Sequence, residues 1–298
     1  MNKKELKAYK KKVEMEVLEN LSEGDAIEFL SEKGYKLEKP SPVKVARKIK
    51  VDTSVFKGKE EVEIAVISCT QLGNKWQQIT HLKQFYQFVQ DRGIKIVLHA
   101  GDLVDGEKVY TGHEYEIFLH GEKAQREYVV SEYPKMEGVT TYVIAGNHDY
   151  SFWKRSGVDI VENICKDRKD LIYCGAYGAY PKIGNLNIFL HHGDGGNAYA
   201  RSYKMQKKIE QFSPETKPDI YFLGHYHTNN LLPAYRNVYG IQLGCFESQT
   251  PYLVRKGLCP EVGGWIVKFI LNDKGRKSNT ARFQFEYIPF FKMIENDY

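Results

Sequence analysis

Four short clusters hold residue types that could do chemistry together: GDLVDG (101–106), GNHD (146–149), HHGDGG (191–196) and GHYH (224–227). They offer Asp102, Asn147, His192, His225 and His227, which is one carboxylate, one neutral amide oxygen and three imidazoles. Such a mixed oxygen and nitrogen set suits Mn, Fe or Zn, and an ion held there would activate water and neutralise an anionic substrate. Singly the clusters say little, since GNHD is commonly a turn and tandem histidines commonly sit in cores or on surfaces. Their joint occurrence is the signal, because each one closes an apolar run.

Those runs are the elements that must position the site. Strand-like stretches are VEIAVIS (62–68), IKIVLHAG (94–101), TTYVIAG (140–146), NIFLHHG (187–193) and DIYFLGH (219–225). Helical runs lie between them, at about 79–92, 114–132, 156–167 and 199–212. The alternation predicts an α/β fold, with the polar clusters gathered at one edge of its sheets. Glycines before Asp102, Asn147 and His225 let the backbone turn sharply there. The tail differs: GGWIVKFIL (263–271) and ARFQFEYIPF (281–290) flank a turn-rich segment and predict an antiparallel hairpin.

At the other end, Leu6, Tyr9, Val13, Val17 and Leu18 form a helical stripe, and a second helix runs from Asp25 to Gly34. Ser41-Pro42 offers a cap and first-turn proline for a third over VKVARKIK (43–50). Residues 1–60 thus read as a small N-terminal helical segment ahead of an α/β domain over 61–298. Two uses of the segment stay open, a helix-turn-helix-like module touching nucleic acid and a plain helical cap or dimerisation arm.

Composition sets the bounds. The 298 residues are 42% hydrophobic and 27% charged, as in an ordinary soluble globule, and the formal charge of +5 allows acidic partners without demanding them. The basic start has no apolar stretch behind it, and no run approaches a membrane span, so neither signal peptide, anchor nor membrane partner is expected. Five scattered cysteines without a CxxC point to reduced thiols and a cytoplasmic setting.

With these motifs in this order, residues 62–250 resemble the calcineurin-like metallophosphoesterase superfamily, and the terminal hairpin fits its second sheet. The resemblance implies a four-layer αββα sandwich, two mixed sheets flanked by helices, holding two metal ions and hydrolysing phosphomonoesters or phosphodiesters with metal-activated water. By position, Asp102 would bridge both metals. Asn147, His192 and His225 would complete one shell, and His227 would belong to the other. His148 would stand over the scissile phosphate as general acid, with Asp105 fixing its ring and favouring the protonated form. Because GDLVDG runs into Glu107 and Lys108, without the arginine of the protein serine/threonine phosphatase branch, the pattern looks like the bacterial and phage phosphoesterases. Nuclease, nucleotide phosphodiesterase and phosphomonoesterase all remain open as activities.

One motif departs from the family. Its first, D-x-H, falls on Cys69-Thr70-Gln71 in IAVISCTQLGNKW (64–76). Both expected ligands of the first metal are replaced, while the second metal's set is complete. Three consequences compete. Cys69 ligates as a thiolate, with Gln71 offering its amide oxygen; or the protein keeps one metal and hydrolyses slowly; or the fold binds nucleic acid or a protein and has lost its chemistry. Other residues read more plainly. His99 is a core histidine, and His81, His113 and His120 have no spacing that suggests metal. Asp149 orients the GNHD turn, and Cys165, Cys174, Cys245 and Cys259 are small buried hydrophobes. YSFWKR (150–155) overhangs the site, either clamping a ligand or packing as a loop.

Overall fold

The segment Glu61–Ile67 (β2) shows how the chain is layered. It is buried on both faces beyond its first residues, with Ala65 and Ile67 entering one apolar cluster and Ile64 and Val66 another. Period-two alternation does this without any polar face, which is why the run reads as continuously hydrophobic. Ile96–His99 (β3) and Thr140–Ala145 (β4) run parallel to it and divide their side chains in the same way. The structure, a computed structural model, describes residues 45–56, 61–184, 186–270 and 283–298.

The remaining strands are Val45–Lys50 (β1), Leu171–Ile183 (β5), Leu186–His191 (β6), Ile220–Leu223 (β7), Asn230–Tyr235 (β8), Val238–Gln242 (β9), Gly263–Ile270 (β10) and Phe283–Pro289 (β11). They hydrogen-bond in one path, β11-β10-β2-β3-β4-β5-β6-β7-β9-β8, with β1 pairing β5 beside it. Two separate mixed sheets were the expectation; the single path arises at β5. Its first residues pair with β4 and its later ones with β6 and β1, and Gly175 and Tyr177, both at positive φ, twist the strand between them. β2, β3 and β4 are mutually parallel, as are β6, β7 and β9, so each set delivers its carboxyl ends together.

Six helices are present among the described residues: Ile79–Asp91 (α1), Glu122–Glu132 (α2), Tyr150–Ser156 (α3), Ile160–Asp167 (α4), Tyr203–Ile209 (α5) and Pro251–Lys256 (α6). α1, α2 and α4 supply Leu82, Phe85, Val129, Ile160 and Ile164 to the cluster that holds Ala65 and Ile67. The cluster holding Ile64 and Val66 draws on both ends of the strand path, including Leu98, Leu190, Phe222 and Val267. A third, under α5, contains Phe189, Met205 and Tyr221. None of these helices is long and apolar enough to cross a membrane.

The five expected strands and the tail hairpin are present, as β2, β3, β4, β6, β7 and the β10–β11 pair. Three helical expectations need correction. The run at 114–132 is helical only from Glu122, because Gly112 and Gly121 hold φ near 90°, where a helix cannot pass. The one at 156–167 begins only at Ile160: left-handed Gly157 closes the preceding helix α3, and α4 starts where the Asp159 side chain accepts the Glu162 N–H at 3.0 Å. The third helix of the N-terminal segment is instead strand β1 over Val45–Lys50, fixed by parallel pairing to a strand more than a hundred residues away. The expected helices over 3–21 and 25–34 lie outside the described residues.

Candidate functional site

Five strand ends and the loop after β9 meet at one place, His192 arriving at the end of β6. β2 ends in Cys69 and Gln71, β3 in Asp102, β4 in Asn147 and His148, and β7 in His225 and His227. Cys69, Gln71, Asp102, His225 and His227 all hold φ between 46° and 76°, a left-handed conformation that side chains adopt at a cost of about 1–3 kcal/mol each. Such strain persists where the surroundings enforce it. Here backbone bonds do so: Cys69 N–H donates to Gly101 O at 2.9 Å, Thr70 N–H to Asp102 O at 2.9 Å, and Phe246 N–H to Cys69 O at 2.9 Å. Of the glycines, Gly101 does turn through positive φ, but Gly146 serves another purpose. A Cβ there would lie 2.2 Å from Asp102 Oδ1, so the glycine allows two strand ends to approach.

Asp102 and His192 are buried, with Asn147 half-buried beside them. Ala100 O can only accept, so His192 Nδ1 donates to it at 2.7 Å, leaving Nε2 as a lone pair. That lone pair points at Asn147 Oδ1, 2.9 Å away, and Asp102 Oδ2, 3.0 Å away. In the neutral ring three electron-rich atoms converge with no proton between them, an arrangement that a divalent cation relieves, and their chemical types fit one. His225 stands beside this group, its ring centroid 5.3 Å from that of His192. Its Nε2 donates to Gly195 O at 3.0 Å, which leaves Nδ1 free. Burial, with His192 adding to it and Asp102 only partly opposing, pushes His225 down to about 4, so the ring is neutral near pH 7. Burial raises the Asp102 pKa, but the positive charges that His192 and His148 carry when protonated outweigh it and hold the carboxyl well below its usual range, the same stabilisation that a cation would give.

The first-motif position is built differently. Cys69 Sγ is fully buried, lies 3.1 Å from Ser68 Oγ, and accepts the His225 N–H at 3.3 Å. It shares a volume under 4.8 Å across with ligand atoms of Asp102 and His192. Burial pushes its thiol above the ordinary value, with His227 opposing, so a cation would have to displace the proton. The Gln71 amide is satisfied when its nitrogen donates to Val104 O and Asp105 Oδ1, both at 3.3 Å. Its oxygen then faces Asp102 and His227, the side on which the amide lies 3.3 Å from Asp102 Oδ2 and 3.5 Å from His227 Nε2. His227 Nδ1 comes within 3.3 Å of buried Glu247 Oε2 but lacks a hydrogen-bond partner.

His148 N–H donates to Asp102 Oδ1 at 2.9 Å, and its ring Nδ1 lies 2.6 Å from Asp105 O and 3.3 Å from Asp105 Oδ1. Burial alone would lower its pKa. The charges of Asp102 and Asp105 prevail and push it up to about 10. Asp105 is lowered: the hydrogen bonds from His113 and His148 outweigh the burial that opposes them. His113, which spacing had set aside, is therefore corrected to part of this network. Fully buried, its Nε2 donates to Asp105 Oδ2 at 2.8 Å while its Nδ1 accepts Val109 N–H at 3.3 Å, and Asn74 Nδ2 donates to the same carboxylate oxygen at 2.9 Å. Asp105, His113 and His148 form a second tight group of ligand-type atoms. His113 Nε2 and His148 Nδ1 both direct their protons at Asp105, so the group reads as positioning rather than metal-holding. Replacing His113 with leucine should cost about 1.5–3 kcal/mol in urea denaturation, with glutamine recovering part of it. A cost under about 0.5 kcal/mol would remove the network from the account.

Other residues are settled by contact. Asp149 accepts from the backbone N–H groups of Leu103, Val104 and Gly146 at 3.2, 2.9 and 2.8 Å, so it ties two strand ends together. His99 is a buried core residue, bonded to Thr70 Oγ1 at 3.3 Å and Gly101 N–H at 3.2 Å. YSFWKR is helix α3, with Phe152 buried and Tyr150 stacked on Trp153, and none of its residues lines the cavity. Cys174 and Cys245 are buried as expected, but Cys259 is exposed and Cys165 half-buried. The cavity, about 200 Å3, is walled by Gln71, Asp102, Asn147, His148, His225 and His227, with Glu247 and Tyr110 among its other neighbours. Glu247 carried a missed signal: IQLGCFE (241–247) is a further apolar run closing on glycine and a ligand-type residue. His113 carried none, since it sits in a short 3-10 turn entered through left-handed Gly112.

Comparison with known proteins points the same way. The sequence model of the family described as calcineurin-like phosphoesterase matches residues 62–229. The DNA polymerase II small subunit of Methanocaldococcus jannaschii is 26% identical over 246 residues, which cover 67% of this chain. The chain spans 41% of that relative's length. Among solved structures, Vps29 of Chaetomium thermophilum is 13% identical with a TM-score of 0.38, covering 77% of this chain and 98% of that one. GAP50, titled the anchor in the inner membrane complex of Plasmodium, is 10% identical with a TM-score of 0.41, covering 79% and 90%.

Proposed function

The chain belongs to the calcineurin-like phosphoesterase family, and from that premise we propose that it is a metal-dependent phosphoesterase with an attenuated first metal position. The observation that carries this reading is the convergence of Asp102 Oδ2, Asn147 Oδ1 and the His192 Nε2 lone pair. With His225 they would hold a divalent ion (Mn, Fe or Zn, one or two per chain), which when bound supplies water of lowered pKa and neutralises phosphoryl oxygens. Asp102 orients the His148 backbone and Asp105 its ring, so that Nε2 carries the transferable proton. Delivered to the departing oxygen, that proton makes His148 the general acid. His227, with Cys69 and Gln71, lines the weaker first position. On this reading the phosphoesterase domain takes in residues 61–298 together with β1, as a four-layer sandwich in which the strand path folds over the apolar cluster common to its two ends. Free thiols suit a reducing, cytoplasmic setting.

A second reading has its own observation. Cys69 is a buried thiol whose pKa is raised, and Gln71 is a neutral amide, so neither replaced residue brings the first position a charge. The fold would then bind nucleic acid or a protein without turnover, a role in keeping with the polymerase subunit among its relatives.

One experiment separates the two. Protein purified without chelator is assayed for metal by elemental analysis and for hydrolysis of bis(4-nitrophenyl) phosphate and 4-nitrophenyl phosphate with added Mn or Zn. The phosphoesterase reading expects about one ion per chain and metal-stimulated turnover. No bound metal and no turnover would overturn it in favour of the binding module.

A further inference from the structure

Beside the candidate site lies a second cavity, of about 280 Å3, close to the lower end of small-ligand clefts. The two share Asn197, Tyr226, Leu258 and Cys259 in their walls, so they adjoin rather than stand apart. The second cavity has two cationic residues of different status. Arg201 is neutralised, its Nη1 2.7 Å from Glu261 Oε1 and 3.1 Å from Asn229 O. Lys204, on α5, is half-buried and pairs with no carboxylate among the described residues. Its Nζ reaches back towards the Gly195 loop, within 3.6 Å of where a Cβ would stand, and so towards the backbone that also receives His225. A partly desolvated ammonium against a cavity wall is completed by an anion. On the rim, the ring of Tyr199 is fully exposed, 107% of its reference area, in a loop that contributes Asn197 and Ala198 to the same wall.

We propose that this cavity is a subsite for a single-stranded polynucleotide extending from the scissile phosphate, Lys204 taking a neighbouring phosphate and Tyr199 stacking the adjacent base. The inference rests on the phosphoesterase reading above and names its substrate class. An unneutralised cation beside a flat exposed ring is the pairing that single strands use, since phosphate supplies charge and every base has a face to stack.

The test uses fluorescence anisotropy with a labelled twelve-residue oligothymidylate in chelator, where no turnover occurs, alongside hydrolysis of the same oligonucleotide and of bis(4-nitrophenyl) phosphate in Mn. Lys204→Gln should weaken binding about 3–10-fold at low salt and reduce the logarithmic salt slope by about 0.7. Tyr199→Ala should weaken it about fivefold or more. In both variants the ratio of kcat/KM for oligonucleotide to that for aryl ester should fall by a similar factor, while exposed Lys169→Gln changes neither. Variants indistinguishable from Lys169→Gln, or a wild type that does not bind the oligonucleotide, would overturn the subsite, leaving the phosphoesterase reading intact wherever the aryl ester is hydrolysed. Weakened binding by both variants, with no turnover of either substrate by wild type, would retain the subsite and remove the hydrolytic reading.

Discussion

His148→Ala is expected to lower aryl phosphodiester turnover by about 10²–10⁴-fold, the usual worth of a positioned general acid, while circular dichroism shows the fold retained. The residue lines the cavity, its Nδ1 is committed to Asp105, and Nε2 remains for the leaving oxygen. In chelated protein, where no cation competes for Asp102, the ring should keep its proton through pH 8 and release it near pH 10, read by histidine NMR. A folded pKa raised from 6.5 to about 10 contributes stabilisation that is complete below pH 6.5 and lost as pH rises through 10. Asp105→Asn should draw the titration downward, since it removes one of the raising charges. Unchanged turnover in His148→Ala would mean that the assigned acid is wrong, and a ring that deprotonates below pH 7 would mean that Asp102 and Asp105 do not act on it as described.

The second large effect is a gain. Cys69→Asp with Gln71→His should raise bound metal from about one to about two ions per chain and aryl ester hydrolysis by about 100-fold, if the second ion restores some 2–3 kcal/mol of charge stabilisation. The backbone favours the change. Positions 69 and 71 hold φ of 52° and 46°, a region where aspartate and histidine are several-fold enriched and a cysteine or glutamine is not. Burying a new carboxylate beside Asp102 is costly without a cation, so the double variant should also lose more stability on chelation than wild type, by thermal denaturation with and without chelator. Two ions already bound to the unchanged protein would show that Cys69 and Gln71 fill the position themselves. An unmoved metal content would show that the strand end no longer presents those positions to an ion.

The site was legible where each ligand-type residue follows directly on a strand. Asp102, Asn147, His148, His225 and His227 announce themselves because a buried parallel strand must end in polar residues once it leaves the core, and the residue types at those ends are chemical rather than turn-forming. Cys69 and Gln71 were legible as departures for the same reason. His113 and Asn74 were not. Each reaches Asp105 from a loop, and only the packing of those loops brings their side chains onto one carboxylate oxygen.

Period and punctuation in the chain alone determined the α/β alternation, the five strands that feed the site and the terminal hairpin, because side-chain burial along a strand or helix is a local pattern. The tertiary structure alone decided that residues 45–50 are a strand, that β5 joins the strands into one path, and that the Gln71 amide turns between Asp102 and Asp105. The strand at 45–50, the β4–β5 pairing and the amide orientation depend on hydrogen-bonding partners thirty residues or more away, and a local pattern carries no information about which distant partner a backbone or an amide will find.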